Sequence, residues 1–298
     1  MSVVEKAIRK LQERKQHLGE LPAPPGEVPE IPAAHEAGSE HAREDATPSH
    51  LPPIILEREA LRAAGLLPPT EDAGLLARQY RKIKDPLIAQ AIGRGRTPVP
   101  KGQLIMIASA MAGEGKTFTA VNLALSLARE RDIRVLLVDA DVAKPQLSHL
   151  LGLGQSPGLL NALRDGHLDV ESLIRATDVP KLSFLPAGVG AEEATELLSS
   201  ARMKQLAEQL GRHESCRIVV FDSPPLLQTT ESSALTHVAG QVVVVVREEF
   251  TPQPVLLYAL KTLEGHPSVS LVLNQSTRSG ASAYYYGYGN ERPNTDSA

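Results

Sequence analysis

A glycine-rich segment between an apolar run and a long helical pattern is the part of the sequence best suited to chemistry. It reads Ala-Met-Ala-Gly-Glu-Gly-Lys-Thr over residues 110–117. Backbone N–H groups of such a loop, with the start of the next helix, surround phosphate oxygens. Lys116 would then reach the β- and γ-phosphates, and Thr117 would bind Mg²⁺. The predicted nucleotide-binding residues of this loop are Ala112, Gly113, Glu114, Gly115, Lys116, Thr117 and Phe118.

Aspartates stand at the ends of two apolar runs that follow this loop. The first run ends in Asp139-Ala-Asp141 and the second in Asp222-Ser-Pro-Pro. Residues i and i+2 of an extended chain point to the same side, and the carboxyl ends of parallel strands share one edge of a sheet. Their oxygens suit Mg²⁺, and one carboxylate would remain to accept a proton from a hydroxyl. The alternative for each acid alone is an aspartate that caps the next helix.

Short β-branched runs alternate with longer helical patterns from residue 103 to about residue 276. With the glycine-rich loop, this alternation predicts an α/β fold of the P-loop NTPase class, with a mostly parallel sheet covered by helices on both faces. The predicted strands are Leu104–Ser109, Val135–Asp139, Leu182–Leu185, Ile218–Asp222, Gln241–Val246 and Ser270–Asn274. The predicted helices are Lys116–Arg129, Thr195–Leu210, Glu231–His237 and Pro254–Glu264.

The flanking segments differ from this core in composition. Residues 1–20 have the spacing of an amphipathic helix, and residues 21–53 form a Pro-rich linker that carries too little apolar surface to fold. Residues 54–100 regain helical patterns and form an adaptor region before the P-loop domain at 101–276. Residues 277–298 are rich in Ser, Gly, Tyr and Asn, which predicts a mobile tail.

Composition narrows the class of protein. With 298 residues, 42% of them hydrophobic, and a net charge of −4, the chain can bury a sizeable core and is not collagen-like. The slight acidic excess argues against nucleic acid as a ligand. The one cysteine, Cys216, excludes an internal disulfide, and no Cys/His spacing fits zinc, which favours the cytoplasm. The run Val242–Val246 is far short of the roughly 20 residues of a membrane span, so membrane association would need a partner.

Four of the six tyrosines, Tyr284, Tyr285, Tyr286 and Tyr288, stand within the last 15 residues. The loop ending in Lys-Thr, the Leu-Leu-Val-Asp-Ala-Asp and Val-Val-Phe-Asp-Ser-Pro-Pro runs and this tyrosine cluster follow one another along the chain. Together they resemble the Walker A, A′ and B motifs and the C-terminal cluster of the bacterial tyrosine kinases of capsule and exopolysaccharide export. The N-terminal extension is similar to that of the free-standing autokinases of exopolysaccharide loci of the PEP-CTERM type.

This resemblance implies an ATP- and Mg²⁺-dependent tyrosine autokinase that modifies its own tail in trans and regulates exopolysaccharide synthesis or export. The residues implied for catalysis are Lys116, Asp139, Asp141 and Asp222, and those implied for Mg²⁺ are Thr117, Asp141 and Asp222. Asp139 is the preferred base, although the sequence alone does not separate it from Asp141, and Asn274 is either an adenine contact or a turn residue. Implied partners are a membrane-embedded chain-length determinant or copolymerase that activates the kinase at the inner membrane, and a cognate phosphatase; self-association stays open.

Two other functions remain open at this point. A nucleotide-switch ATPase of the MinD class would use the same site on water, and a non-enzymatic adaptor would bind ATP as a structural ligand. Met111 stands where ParA and MinD type ATPases carry their signature lysine, which favours the kinase. The chain departs from the kinase pattern at Ala110, where the first glycine is expected, at Ala143, where an arginine is expected, and at Arg78, where the ring-forming signature has an acid. The tyrosines could also serve contact or stacking alone.

Overall fold

The computed structural model describes residues 52–95, 97–212 and 216–276. The amphipathic helix expected at 1–20, all but the end of the linker at 21–53, and the tyrosine tail at 277–298 lie outside these residues. The expected domain boundaries therefore stay predictions. In the part of the chain that the structure describes, no helix combines the length and the apolarity that a membrane span requires.

A seven-stranded sheet forms the centre of the protein. Its strands are β1 (Leu104–Ser109), β2 (Arg134–Asp139), β3 (Arg175–Ala176), β4 (Leu182–Leu185), β5 (Arg217–Asp222), β6 (Gln241–Arg247) and β7 (Val269–Asn274). They lie in the order β3-β4-β2-β5-β1-β6-β7, and only the β3–β4 pair is antiparallel. The predicted parallel sheet is confirmed, and the six predicted strands agree with the observed ones within one residue. Strand β3 was not predicted, because a strand of two residues is too short to show an alternating pattern of apolar and polar residues.

Helices cover both faces of the sheet. They are α1 (Arg58–Ala63), α2 (Ala73–Ile92), α3 (Lys116–Leu127), α4 (Gln146–Leu150), α5 (Leu159–Arg164), α6 (Ala194–Ser199), α7 (Ala201–Arg212), α8 (Thr230–Val238) and α9 (Gln253–Thr262). One buried cluster joins α2 and α3 to one face of the sheet, and a second joins α7, α8 and α9 to the other. Because both faces are covered, the central strands are apolar along their whole length rather than alternating.

The single helix predicted over Thr195–Leu210 is wrong. Ser200 separates α6 from α7 with an extended backbone, ψ 159°. The Ser200 hydroxyl accepts a hydrogen bond from the Met203 amide at 3.3 Å and donates to the Leu197 carbonyl at 2.6 Å. A serine side chain that bonds the first turn of a helix favours a helix start over a helix interior. The short helices α4 and α5 were not predicted, since one turn carries too few positions to show a period.

Lys84 fixes the long helix α2 against the body of the protein. Its side chain is buried, and its Nζ donates to the Ser126 carbonyl at 2.9 Å and forms an ion pair with Glu130 at 2.6 Å. Lys84 stands at the last position of the ring-forming signature of bacterial tyrosine kinases, and in this structure its side chain bonds Ser126 and Glu130 of its own chain. These contacts hold helix α2 against helix α3 and the residues that follow it.

Candidate active site

The glycine-rich loop lies between β1 and α3, as its sequence context predicts. Gly113 and Gly115 have φ values of +82° and +95°. A Cβ atom on Gly115 would lie 2.0 Å from Nδ2 of Asn274. Both the backbone conformation and the close approach therefore require glycine at position 115. The loop delivers the first turn of α3, with Lys116 and Thr117, to the carboxyl edge of the sheet.

One side of the loop, called here the back, is held by four side chains, of which the sequence analysis singled out Glu114 and Asn274 but not Thr251 and Arg247. The buried carboxylate of Glu114 accepts hydrogen bonds from the Met111 amide at 2.5 Å and from the Thr251 hydroxyl. The Glu114 carbonyl accepts from Nδ2 of Asn274 at 2.9 Å, and Nη1 of Arg247 donates to the Gly113 carbonyl at 3.3 Å. Arg247 ends β6 and Thr251 lies four residues further on, so two polar residues at and after the end of a buried strand were the only available signal.

The other side, the front, opens into a cleft of about 390 Å³. The cleft brings together seven of the predicted residues. These are Ala112, Gly113, Gly115, Lys116, Thr117, Phe118 and Asp141. Glu114 and Asn274 are placed behind the loop instead. The side-chain amide of Asn274 donates to the loop itself. Its contact with adenine therefore stays a prediction.

Asp139 and Asp222 lie side by side beneath the cleft. They are register partners on the neighbouring strands β2 and β5, and they are 0% and 2% exposed. Oδ2 of Asp139 accepts from the Ser148 amide at 2.8 Å and from the Ser148 hydroxyl at 2.7 Å. Among the described residues, the Oδ1 atoms of both aspartates are buried without a hydrogen-bond partner. Asp139 does not line the cleft, whereas Asp141 does.

Burial shifts the pKa of four charged groups at this edge, Lys116, Asp139, Asp141 and Asp222. It raises the pKa of Asp222 to about 8, with repulsion from Asp139 as the next cause, and raises that of Asp139 to about 6 against the Ser148 hydrogen bonds. Burial also raises the pKa of Asp141, and the charge of Lys116 opposes the rise. The pKa of Lys116 is lowered by burial, although Asp222, Asp141 and Glu114 counteract this. The positive charge of Lys116 therefore does not fully compensate for the burial of the three aspartates.

The residues present fit a bound Mg²⁺ ion. Oδ1 of Asp222 is a buried carboxylate oxygen without a hydrogen-bond partner in the described chain, and it lies beside the Thr117 hydroxyl, which bonds the same carboxylate. The described residues contain no group of three or more His, Cys, Asp or Glu side chains that would bind a metal alone. Mg²⁺ is usually held by one or two carboxylates together with water and phosphate oxygens. Thr117, Asp141 and Asp222 are the residues that would hold it.

The loop after β1, the helix that follows and the acids at the ends of β2 and β5 define a P-loop NTPase. The family model described as an AAA domain matches residues 102–264. The tyrosine-protein kinase YwqD of Bacillus subtilis is 33% identical over 224 residues, which are 73% of this chain and 89% of YwqD. The solved kinase domain of VpsO superposes with a TM-score of 0.56 at 28% identity, over 70% of this chain and all of that domain.

A longer relative shows the same likeness. The tyrosine-protein kinase Ptk of Acinetobacter johnsonii is 36% identical over 183 residues, which are 61% of this chain, and the chain spans only 24% of Ptk. The solved tyrosine kinase domain of BceF gives a TM-score of 0.57 at 27% identity. The chain belongs to the bacterial tyrosine kinase family, as its motifs indicate.

Proposed function

We propose that this chain is an ATP- and Mg²⁺-dependent protein-tyrosine autokinase that phosphorylates its own C-terminal cluster, Tyr284, Tyr285, Tyr286 and Tyr288, in trans. The observation that carries the proposal is the cleft itself. It joins a phosphate-binding loop and Lys116 to a half-buried carboxylate, Asp141, in one cavity. Membership of a family whose curated relatives are named tyrosine-protein kinases supports the same activity.

The transfer depends on positioning and charge. Backbone amides of the loop hold the phosphates of ATP, and the Lys116 ammonium stabilises negative charge on the transferred group. Bound Mg²⁺ would neutralise phosphate oxygens and orient them. The tyrosine oxygen forms the new bond to phosphorus as the bond from phosphorus to ADP breaks, and the phenolic proton leaves for an acceptor.

We assign the proton acceptor to Asp141 rather than to the preferred Asp139, which leaves the direct contacts to Mg²⁺ to Thr117 and Asp222. A tyrosine hydroxyl has a pKa near ~10, so it needs an acceptor within reach. Asp141 lines the cleft, and its raised pKa makes it a better acceptor than an exposed aspartate. Asp139 is buried and bonded to Ser148, so its role is to position the neighbouring acids.

The test is tandem mass spectrometry of the C-terminal peptide after incubation of the purified chain with Mg-ATP. Phosphate is expected on the tyrosine cluster in the wild type and in the control Lys204→Met, a change at an exposed lysine. It should be absent in Lys116→Met and strongly reduced in Asp141→Asn. An unmodified tail in the wild type, also with a membrane activator present, together with ATP hydrolysis would support the MinD-like switch instead. ATP binding without either reaction would support the adaptor.

The same proposal extends to regulation of exopolysaccharide synthesis or export through a membrane-embedded copolymerase, with a phosphatase to reset the tail. The support for it is the resemblance of the motifs and of the N-terminal extension. Under this proposal the partner holds the kinase at the cytoplasmic face of the inner membrane. Residues 1–53 are the proposed docking segment. A chain that lacks them should lose recruitment to membranes carrying the copolymerase while its solution autophosphorylation stays intact; retained recruitment would reject this role.

A further inference from the structure

A segment that precedes the matched family domain reaches the active-site cleft. This segment, residues 54–67, is called the strap. It starts at the β3 edge of the sheet, where the Ile54 amide donates to the Ala176 carbonyl at 2.8 Å and Ile54 forms a parallel bridge with Thr177. The Leu56 amide donates to Oδ1 of Asp178 at 3.0 Å. The beginning of the strap is thus fixed on the side of the sheet where β2 and β4 lie.

The end of helix α1 turns the strap toward the cleft. The Gly65 amide donates to the Arg62 carbonyl at 2.9 Å and the Leu66 amide to the Leu61 carbonyl at 2.8 Å, with Gly65 at φ +70°. This pair of bonds is a Schellman motif, which needs a residue in the left-handed region after the helix. Leu61 is buried in the core and anchors the helix there. The sequence Ala-Ala-Gly-Leu-Leu-Pro-Pro therefore encodes a defined turn at Gly65 and Leu66.

Asn122 ties this turn to the helix of the phosphate loop. Its Nδ2 donates to the Leu66 carbonyl at 2.9 Å and to the Phe118 carbonyl, one turn earlier in α3, at 2.7 Å. Asparagine is a poor residue for a helix interior, and here it is largely buried. Its side chain joins the strap to the same helix whose first turn carries Lys116 and Thr117.

The strap bounds the acceptor end of the cleft. Gly65 and Leu66 line the cavity together with Phe118 and Asp141. Asp141 follows β2, on one side of β1 in the strand order, whereas Asn274 and Arg247 hold the loop from β7 and β6 on the other side. An incoming hydroxyl must come to Asp141 and hence to the strap side. Leu66 and Phe118 are half-buried apolar side chains packed on one core cluster.

We propose that Gly65, Leu66 and Phe118 form the acceptor subsite, which holds the ring of a tyrosine from a second copy of this chain beside Asp141. A tyrosine side chain needs an apolar wall for its ring and a polar partner for its hydroxyl, and this end of the cleft offers both. Asn122 is the positioning residue that holds the wall. The inference rests on the proposed kinase activity, and it assigns part of the acceptor side, Gly65 and Leu66, to residues that precede the matched domain at 102–264.

The first test obstructs the wall with little backbone strain. A Cβ atom on Gly65 meets nothing within 4 Å, and asparagine adopts the left-handed region that this position needs. Gly95 is the matched control, since it has φ +71° and equally open surroundings. It precedes β1 and so lies toward the amino ends of the strands, whereas the cleft lies at their carboxyl ends. The enzyme is the full chain with its tail tyrosines changed to Phe, and the acceptor is the full Lys116→Met chain.

For Gly65→Asn the acceptor KM should rise about tenfold, the usual effect of a small change in pocket shape, with the Kd for ATP unchanged. Gly95→Asn should change neither. If Gly65→Asn instead weakens ATP affinity and leaves the acceptor KM unchanged, these residues contact the nucleotide rather than the acceptor. The proposed subsite would then be wrong, although the kinase activity would stand. Absence of transfer by the enzyme that retains Gly65, also with a membrane activator present, would reject the proposed function and the subsite together.

The second test concerns Asn122. Asn122→Ala should raise the acceptor KM and thereby lower kcat/KM about threefold to tenfold, the effect of one hydrogen bond. Gln241 gives the control, because its buried amide also donates to a backbone carbonyl of the adaptor region, that of Leu87 at 3.0 Å, away from the cleft. Gln241→Ala should lower thermal stability without raising the acceptor KM. An equal effect of both variants on the acceptor KM would reduce Asn122 to a structural residue and overturn its positioning role.

Discussion

The two sides of the phosphate loop differ in how their polar atoms are satisfied. On the back, both oxygens of the buried Glu114 carboxylate accept hydrogen bonds, and the Glu114 carbonyl accepts a further one from Asn274. On the front, Asp139 and Asp222 each keep one buried oxygen without a partner among the described residues. Buried polar atoms are nearly always paired, so the front is the exception.

This difference separates the part of the site that stabilises the fold from the part that binds. The back fixes the loop before any ligand arrives, which is what precise placement of phosphates requires. The front leaves negative charge and open acceptors where a cation and phosphates would arrive. A protein that satisfied both sides would be more stable, and the unsatisfied front is therefore the expected mark of a functional site.

The largest effect is expected where the two sides meet, at Gly115. In Gly115→Ala the new methyl group would clash with Asn274 at 2.0 Å and stand at φ +95°, so the back loses its bond and the front its loop shape. We expect a loss of about 2–4 kcal/mol in stability and no detectable ATP binding by calorimetry. Gly166→Ala, where a Cβ atom meets nothing within 4 Å, is the control and should change ATP binding little. Normal ATP affinity in Gly115→Ala would contradict the described geometry.

Removing charge from the front should stabilise the protein while it destroys function. The pKa of Asp222 is raised to about 8, above that of an unfolded aspartate, so its contribution to stability is present below about pH 4 and lost as pH rises through the folded pKa. Asn does not titrate. Asp222→Asn, measured without nucleotide or Mg²⁺, should therefore raise Tm by several degrees at pH 8.5 and by less at pH 5, as scanning fluorimetry would show.

The control for this comparison is Asp132→Asn, a change at an exposed aspartate outside the site. It should leave Tm nearly the same at both pH values. A Tm of Asp222→Asn that falls below the wild type at pH 8.5 would show that the carboxylate stabilises the nucleotide-free fold. The conclusion that the back of the loop stabilises the fold, whereas the front destabilises it, would then be wrong.

The sheet and the front of the site were largely predictable. Buried parallel strands give continuous apolar runs, and the loop, Lys116 and the strand-end aspartates occupy short windows of sequence. The back was not predictable, because Thr251 lies 137 residues from Glu114 and its hydroxyl is one of many in the chain. The pairing of Ser148 with Asp139, which removes Asp139 from the cleft, depends on the unpredicted helix α4. Local patterns report elements, whereas long-range polar pairs depend on the packing of the elements.

The strap illustrates the same limit in another way. The sequence indicated helical patterns in the adaptor region at residues 54–100, which contains the strap, and no more than that. Nothing local indicated that Leu66 would bond Asn122, 56 residues away, and so enter the cleft. The expected adenine contact of Asn274 came from analogy alone, and in the structure this residue bonds the back of the loop.

Thr251 should give a moderate effect that isolates the back. Thr251→Val removes the hydroxyl that bonds Glu114 and leaves a buried carboxylate oxygen without that partner, which costs about 1–3 kcal/mol of stability. ATP affinity should fall several-fold, because the loop loses part of its support. Thr236→Val, at an exposed hydroxyl that donates to the Ser233 carbonyl, is the control. Equal chemical-denaturation midpoints for the two variants would show that the Glu114 bond adds nothing.

The smallest effect is expected at Arg247, at the outer margin of the back. Its guanidinium lies 4.7 Å from the centre of the Phe250 ring, and its bond to the Gly113 carbonyl is long at 3.3 Å. An exposed cation–π contact is worth about 0.5–1 kcal/mol, so Arg247→Ala should weaken ATP binding by no more than about fivefold. A double-mutant cycle with Phe250→Ala, followed by thermal unfolding, separates the two contacts. A coupling free energy near zero would mean that Arg247 acts only through its hydrogen bond to the Gly113 carbonyl. A coupling close to the full effect of Arg247→Ala would mean that Arg247 acts only through Phe250. In that case Glu114, Thr251 and Asn274 alone would hold the back of the loop.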